Sequence, residues 1–91
     1  MELTNFFKAL SDPTRRKVLQ LLREQDMTPS EILEKLPVSQ PTLSHHLDIL
    51  KRADLVTGER EGQFIRYSLN MSVLDMTVDY MMQFKRSEKR S

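Results

Sequence analysis

The sequence has no cysteine. That absence removes disulfides, thiolate metal ligands and cysteine nucleophiles together, and it suits the reducing cytoplasm, where the protein is expected to work. Apolar runs long enough to cross a bilayer are missing, and residues 1–10 interleave Glu2, Asn5 and Lys8 with apolar side chains, unlike a secretory signal. Neither membrane insertion nor export is expected. Charge of one sign is lacking too: 14 Lys and Arg stand against 13 Asp and Glu, for a net charge of +1. No overall basic field announces a polyanionic partner, so any such role must rest on local placement. A Gly-rich phosphate loop and a carboxylate cluster beside a suitable base are absent as well, which leaves nothing from which to assemble a catalytic site. No cofactor is expected, and no repeat or low-complexity stretch divides the chain.

What is present fits one folded domain spanning residues 1–91, with 38% hydrophobic and 30% charged residues. A domain this short buries a smaller share of its surface than a larger one, so pairing with a second copy is an additional source of stability.

Residues 2–10 carry Leu3, Phe6, Phe7 and Leu10 at helical spacing, with Thr4 or Met1 available as caps. Ser11-Asp12-Pro13 interrupts this helix and starts a second one reaching about Arg23: Asp12 accepts from free N–H groups and Pro13 suits the first helical position. Its Val18, Leu19, Leu21 and Leu22 face inward, and Arg15, Arg16 and Lys17 form a cationic face whose expected role is to be solvated, with phosphate contact as the alternative. Thr28-Pro29 repeats the start signal for a short third helix buried through Ile32, Leu33 and Leu36. Pro37-Val38 ends it, and Ser39 caps a fourth helix running from Gln40 to about Ala53. Two helices joined by a turn of a few residues, here about 28–53, make a helix-turn-helix.

After Asp54 the pattern alternates. Leu55-Val56-Thr57 and residues 64–69 read as two strands joined through Glu59-Arg60-Glu61-Gly62, a wing over about 55–69 in which Gly62 takes the positive φ of a tight turn. Asn70 or Ser72 starts a last helix over about 72–85, followed by a basic tail, residues 85–91, expected to fray. That helix is apolar nearly all round, so one side is expected to meet a second chain together with the first helix, through Leu3, Phe6, Phe7, Leu74, Tyr80, Met81 and Phe84. Met76, Met81 and Met82 read as packing surface rather than a cofactor pocket. The fold class is mainly α with a small β-hairpin, a winged helix-turn-helix.

On the fourth helix Leu43, Leu47 and Leu50 share the inner face, while Pro41, Ser44, His45, Asp48, Lys51 and Arg52 lie opposite and Gln40 and Thr42 project from the free N-terminus. Gln, Ser, Thr and His all hydrogen-bond to base edges in a major groove, and a helix N-terminus attracts phosphate. An ordinary solvated face fits the wheel equally well. His46 falls at the edge of the buried face and reads as a packing histidine. Its direction differs by about 100° from that of His45, so the pair is not expected to bind one metal ion. Arg60 and Gln63 flank Gly62, and Arg66 leaves the turn, placing cations where a minor groove or phosphates could be reached; Glu59 and Glu61 fit a plain solvated turn as well.

Ser11-Asp12-Pro13-Thr14-Arg15-Arg16, the run from Ser39 through Ser44-His45-His46-Leu47, and Glu61-Gly62-Gln63-Phe64-Ile65-Arg66-Tyr67-Ser68-Leu69 resemble the ArsR-type winged-helix repressors over nearly the whole chain, with the metal-independent, SdpR-like autorepressor branch the nearest in pattern. The resemblance implies a homodimer formed through the first and last helices, with each fourth helix in a major groove of double-stranded operator DNA. It assigns base reading to Gln40, Thr42, Ser44 and His45, helped by Arg60 and Gln63 of the wing. Family members that sense metals use a cysteine pair at the third helix or Asp, His and Glu on the last. Here Thr28 and Ser30 occupy the former positions and the last helix offers Asp75 and Asp79 without His, so no metal site is expected. Induction then falls to a partner protein that releases or sequesters the repressor, or to nothing beyond protein concentration. A reading from a different class is a winged-helix interaction module without DNA binding, favoured by the neutral net charge and Asp48 and opposed by the retained polar reader set.

Overall fold

The computed structural model describes residues 2–86. The order is α1 (Leu3–Leu10), α2 (Pro13–Glu24), α3 (Pro29–Leu33), α4 (Gln40–Arg52), β1 (Val56–Glu61), β2 (Phe64–Leu69) and α5 (Met71–Met82). Each helix begins where a side chain satisfies a first-turn N–H group. Asp12 accepts from the Arg15 amide at 3.0 Å with Pro13 in the first turn, and Ser39 accepts from Thr42 at 3.3 Å. Thr28 and Glu31 exchange both bonds of a capping box, at 3.3 and 2.9 Å. One start differs from expectation. The cap of α1 is Glu2, whose carboxylate accepts from the Asn5 amide at 2.8 Å, in place of Thr4; the other candidate, Met1, lies outside the described residues. Of the two expected candidates at the start of α5, Asn70 is the cap, accepting from Val73 at 3.3 Å.

The connection from α3 to α4 is longer than the expected short turn. Helical geometry decays gradually, with the Leu36 amide still bonded to the Ile32 carbonyl at 3.1 Å, until Pro37 forbids continuation. The end of α4 is sharp. Asp54 adopts φ 61, and the amides of Leu55 and Asp54 close back onto Leu50 and Lys51, both at 3.0 Å. This is the paired-bond C-terminal motif that places a left-handed residue just past the helix, here with Leu50 and Leu55 both wholly buried as its apolar clasp.

β1 and β2 pair antiparallel from Val56↔Leu69 to Glu61↔Phe64. The strand therefore continues through Glu59, Arg60 and Glu61, which had been expected in the loop, and the turn is Gly62-Gln63 alone, with Gly62 at φ +65. A positive φ at the first of two loop residues matches the twist of the flanking strands. Gly58 sits opposite Tyr67, and a Cβ there would lie 2.9 Å from Ile65 Cγ2, so that glycine permits the close approach. Tyr67 also exchanges backbone bonds with Met27, at 3.1 and 2.8 Å, which ties the wing to the strand-like residue entering α3.

The core is built from Phe6 and Ala9 of α1, Val18 and Leu22 of α2, Ile32, the inner leucines of α4, and Leu55 and Val56 entering the wing. Burial of α5 ends after its first two turns, at Val73 and Thr77. Beyond them the helix leaves the body of the domain, whose longest dimension is 59 Å against 24 and 23 Å. It ends at Met82, short of the expected residue 85, and the following amides make only short-range bonds to carbonyls three residues back. Of the basic tail, Lys85 and Arg86 are exposed and residues 87–91 lie outside the described residues.

Candidate nucleic-acid interface

Three leucines orient α4. Leu43, Leu47 and Leu50 are 1%, 3% and 0% exposed, and their i, i+4, i+7 spacing fixes the rotation of the helix about its axis. Gln40, Pro41, Thr42, Ser44, His45, Asp48, Lys51 and Arg52 are thereby all turned to solvent, as the wheel requires. The Ser39 hydroxyl, 2.9 Å from that of Thr42, steadies the first turn. Asp48 and Arg52 pair at 2.9 Å along the helix, so the one carboxylate on this face is already neutralised.

His46 is the hinge between α4 and the rest. Its side chain is 12% exposed, and its Nδ1 lies 3.2 Å from a guanidinium nitrogen of Arg15 and 4.0 Å from the Asp12 carboxylate. Arg15 at the same time donates to the Ala9 carbonyl at 2.8 Å and the Lys8 carbonyl at 3.2 Å, while Arg16 donates to that of Leu10 at 2.6 Å. Two of the three cations expected to form a solvated face of α2 thus bond carbonyls at the end of α1, where Ser11 also bonds that of Lys8 through its amide and hydroxyl. The backbone N–H of Arg15, with the charge of its guanidinium adding, holds the Asp12 carboxyl below its usual range. The two histidine rings lie 6.0 Å apart at 53°, one exposed and one packed.

The wing separates its cations by role. Arg60 and Gln63 are exposed, and the Arg60 side chain makes no ion pair or hydrogen bond among the described residues. Arg66 is fully engaged: it binds Glu61 at 3.0 Å, Glu31 of α3 at 3.3 Å and the Asp26 carbonyl at 3.3 Å. The hydrogen bond and charge of Glu61, reinforced by Glu31, raise the Arg66 pKa, and the Thr28 amide, with Arg66 nearby, lowers that of Glu31. Phe64, 51% exposed beside the turn, is a wing-tip surface that polar-residue reasoning passed over.

The residues proposed to join two chains divide. Phe6 is 2% exposed and belongs to the core of its own domain, where its ring meets that of Phe7 edge-on at 5.3 Å. It has almost no surface to offer a second chain, because α1 turns this side inward against α2 and α4. Phe7, Met81 and Phe84 are 42%, 49% and 70% exposed, whereas Leu3, Leu74 and Tyr80 are half-buried. Among the described residues, no three His, Cys, Asp or Glu side chains are grouped to hold a metal ion, and no helix is long and apolar enough to cross a membrane.

A three-leucine seat beneath an exposed polar helix, a preceding short helix and a hairpin alongside define a winged helix-turn-helix, the architecture of a DNA-binding regulator. The family described as bacterial regulatory protein, arsR family, matches residues 12–57. The transcriptional repressor SdpR of Bacillus subtilis (strain 168) is 51% identical over 82 residues, covering 90% of this chain and 91% of its own. An arsenical resistance operon repressor of Staphylococcus xylosus is 42% identical over 81% of this chain and 71% of its own. Among solved structures, an ArsR-like transcriptional regulator from Rhodococcus sp. RHA1 superposes with a TM-score of 0.83 at 33% identity, covering 89% of this chain and 76% of that one. The chain belongs to the ArsR family of bacterial regulatory proteins. It is a transcriptional regulator, not an enzyme.

Proposed function

We propose that the protein is a cytoplasmic autorepressor that binds operator DNA as a homodimer and needs no metal ion to do so. The observation that carries this reading is the rotational setting of α4. Burial of Leu43, Leu47 and Leu50 leaves Gln40, Thr42, Ser44 and His45 exposed together at the N-terminal half of the helix, the half that helix-turn-helix proteins insert into the major groove. Arg60 and Gln63 at the wing tip supply backbone or minor-groove contacts beside it.

Dimerisation is supported by the outer part of α5. Met76, Val78, Met81 and Met82 of α5 and Phe84 just past its end are each about half exposed or more, and Phe7 of α1 is exposed as well. An apolar surface of this kind marks a partner site. Independence from metal rests on chemistry: Thr28 is consumed by its capping box, Ser30 is no soft ligand, and Asp75 and Asp79 have no histidine beside them on α5. With no metal signal, relief of repression falls to a partner protein or to dilution of the repressor itself.

Footprinting on the DNA upstream of the protein's own gene tests the reading. Two protected half-sites, centred about one helical turn apart or a multiple of it, are expected of a twofold dimer. A single half-site, or protection with no sequence preference, contradicts it.

A further inference from the structure

We infer that Arg66 and Glu31 form a lock that sets the wing at one angle to the helix-turn-helix before DNA arrives, making Arg66 a positioning residue and not a phosphate ligand. The inference rests on the DNA-binding reading above and assigns one of its working parts.

Arg66 lies on β2, yet its guanidinium spans three separate segments. It meets Glu61 across the hairpin at 3.0 Å, the Asp26 carbonyl at 3.3 Å in the loop entering α3, and Glu31 within α3 at 3.3 Å. Glu31 is not free to follow the wing, because the same Oε1 accepts the Thr28 amide at 2.9 Å and so belongs to the first turn of α3. One residue along β2, Tyr67 exchanges both backbone bonds with Met27. Side-chain and backbone ties therefore act at adjacent positions on the strand, and both run to the residues that open the helix-turn-helix.

A two-stranded hairpin alone is marginally stable, and a wing left loose must lose its freedom on binding, at a cost in affinity. A wing held in advance escapes that cost. Arg66 is also badly placed to serve phosphate directly: two carboxylates neutralise it, and releasing it would leave both without that cation. Arg60, whose side chain has no ion pair or hydrogen bond among the described residues, is a cation available for that contact.

Glu31→Gln and Arg66→Gln separate the two roles. Glutamine still serves as the capping-box acceptor, so Glu31→Gln removes charge from the lock while α3 keeps its start. Operator affinity is measured across a salt series for the wild type, both single variants and the double variant, with hydrogen exchange at the Met27 and Tyr67 amides of the DNA-free proteins alongside. A lock predicts that Glu31→Gln weakens operator binding about threefold, as expected for losing a surface ion pair, although it deletes a negative charge. It also predicts that Arg66→Gln weakens binding with an unchanged salt slope, that the double variant is no worse than Arg66→Gln alone, and that both amides exchange faster in each variant. If Glu31→Gln strengthens binding and Arg66→Gln lowers the salt slope by about one, Arg66 is a phosphate ligand and the lock is refuted; unchanged exchange refutes it as well. A wild-type protein that binds no duplex specifically overturns the DNA-binding reading instead, and the exchange comparison then decides the lock by itself.

Discussion

Arg15 on α2 reaches His46 on α4 with a guanidinium nitrogen 3.2 Å from the imidazole Nδ1, while the rest of the same guanidinium caps the carbonyls of Lys8 and Ala9 on α1. One side chain therefore joins three helices behind the exposed polar face of α4. For His46 to accept that bond its proton must sit on the other ring nitrogen, so the contact fixes the tautomer as well as the ring.

Arg15→Ala removes the side-chain partner of the Ala9 carbonyl and of His46 Nδ1 at once, while the Lys8 carbonyl keeps its bonds from Ser11. The expected loss of folding stability is about 1–3 kcal/mol, the range for removing charge-assisted bonds at a partly buried site. Urea denaturation reads it as a lower midpoint with an unchanged slope. A midpoint equal to the wild type shows that the three-helix junction holds without the guanidinium.

Asp54 supplies a change of the opposite sign. It occupies the left-handed position after α4 at φ 61, where a Cβ is strained and glycine is at ease. Asp54→Gly keeps the backbone bonds of Leu55 and Asp54 and is expected to raise stability by about 0.5–1 kcal/mol. Thermal melts of the two proteins at equal concentration check this, and a decrease means that the Asp54 side chain contributes more than its strain costs.

Much of this arrangement was legible in the sequence because short-range chemistry dictates it. Asp12-Pro13, Thr28-Pro29 and Ser39 each combine an acceptor side chain with a suitable first turn, and the spacing of Leu43, Leu47 and Leu50 fixed which face of α4 would be exposed. The length of β1 was hidden because Gly58, Glu59, Arg60 and Glu61 have low strand preference, and pairing with β2 overrides it. The Met27–Tyr67 bridge is a single pair and leaves no periodic trace. Arg15, Arg16 and Arg66 resemble solvated or DNA-contacting cations in one dimension; that their partners are carbonyls and carboxylates on other elements is a property of the fold alone. Phe6 and Phe7 look alike as neighbours in sequence, yet one turns into the core and the other out.

The outer turns of α5 and the residues just past its end carry the dimer proposal. Tyr80 and Phe84 pack edge-on with ring centres 5.2 Å apart, and Phe84 is 70% exposed. Phe84→Glu should leave the fold of the single domain unchanged, since this residue touches no part of the core, and convert a dimer to a monomer in sedimentation at micromolar concentration. A variant that sediments as the wild-type dimer places the interface elsewhere.

The central claim is that the exposed face of α4 reads bases, and competition binding to the promoter of the protein's own gene tests it most directly. Wild type and His45→Ala are compared on that fragment and on an unrelated duplex, over a range of salt. His45 is exposed and supports nothing in the core, so its loss should reduce specific binding by about tenfold or more, the discrimination of a single base contact, while binding to the unrelated duplex and the salt slope stay the same. Equal weakening on both duplexes, or no preference for the promoter in the wild type, contradicts base reading by this helix.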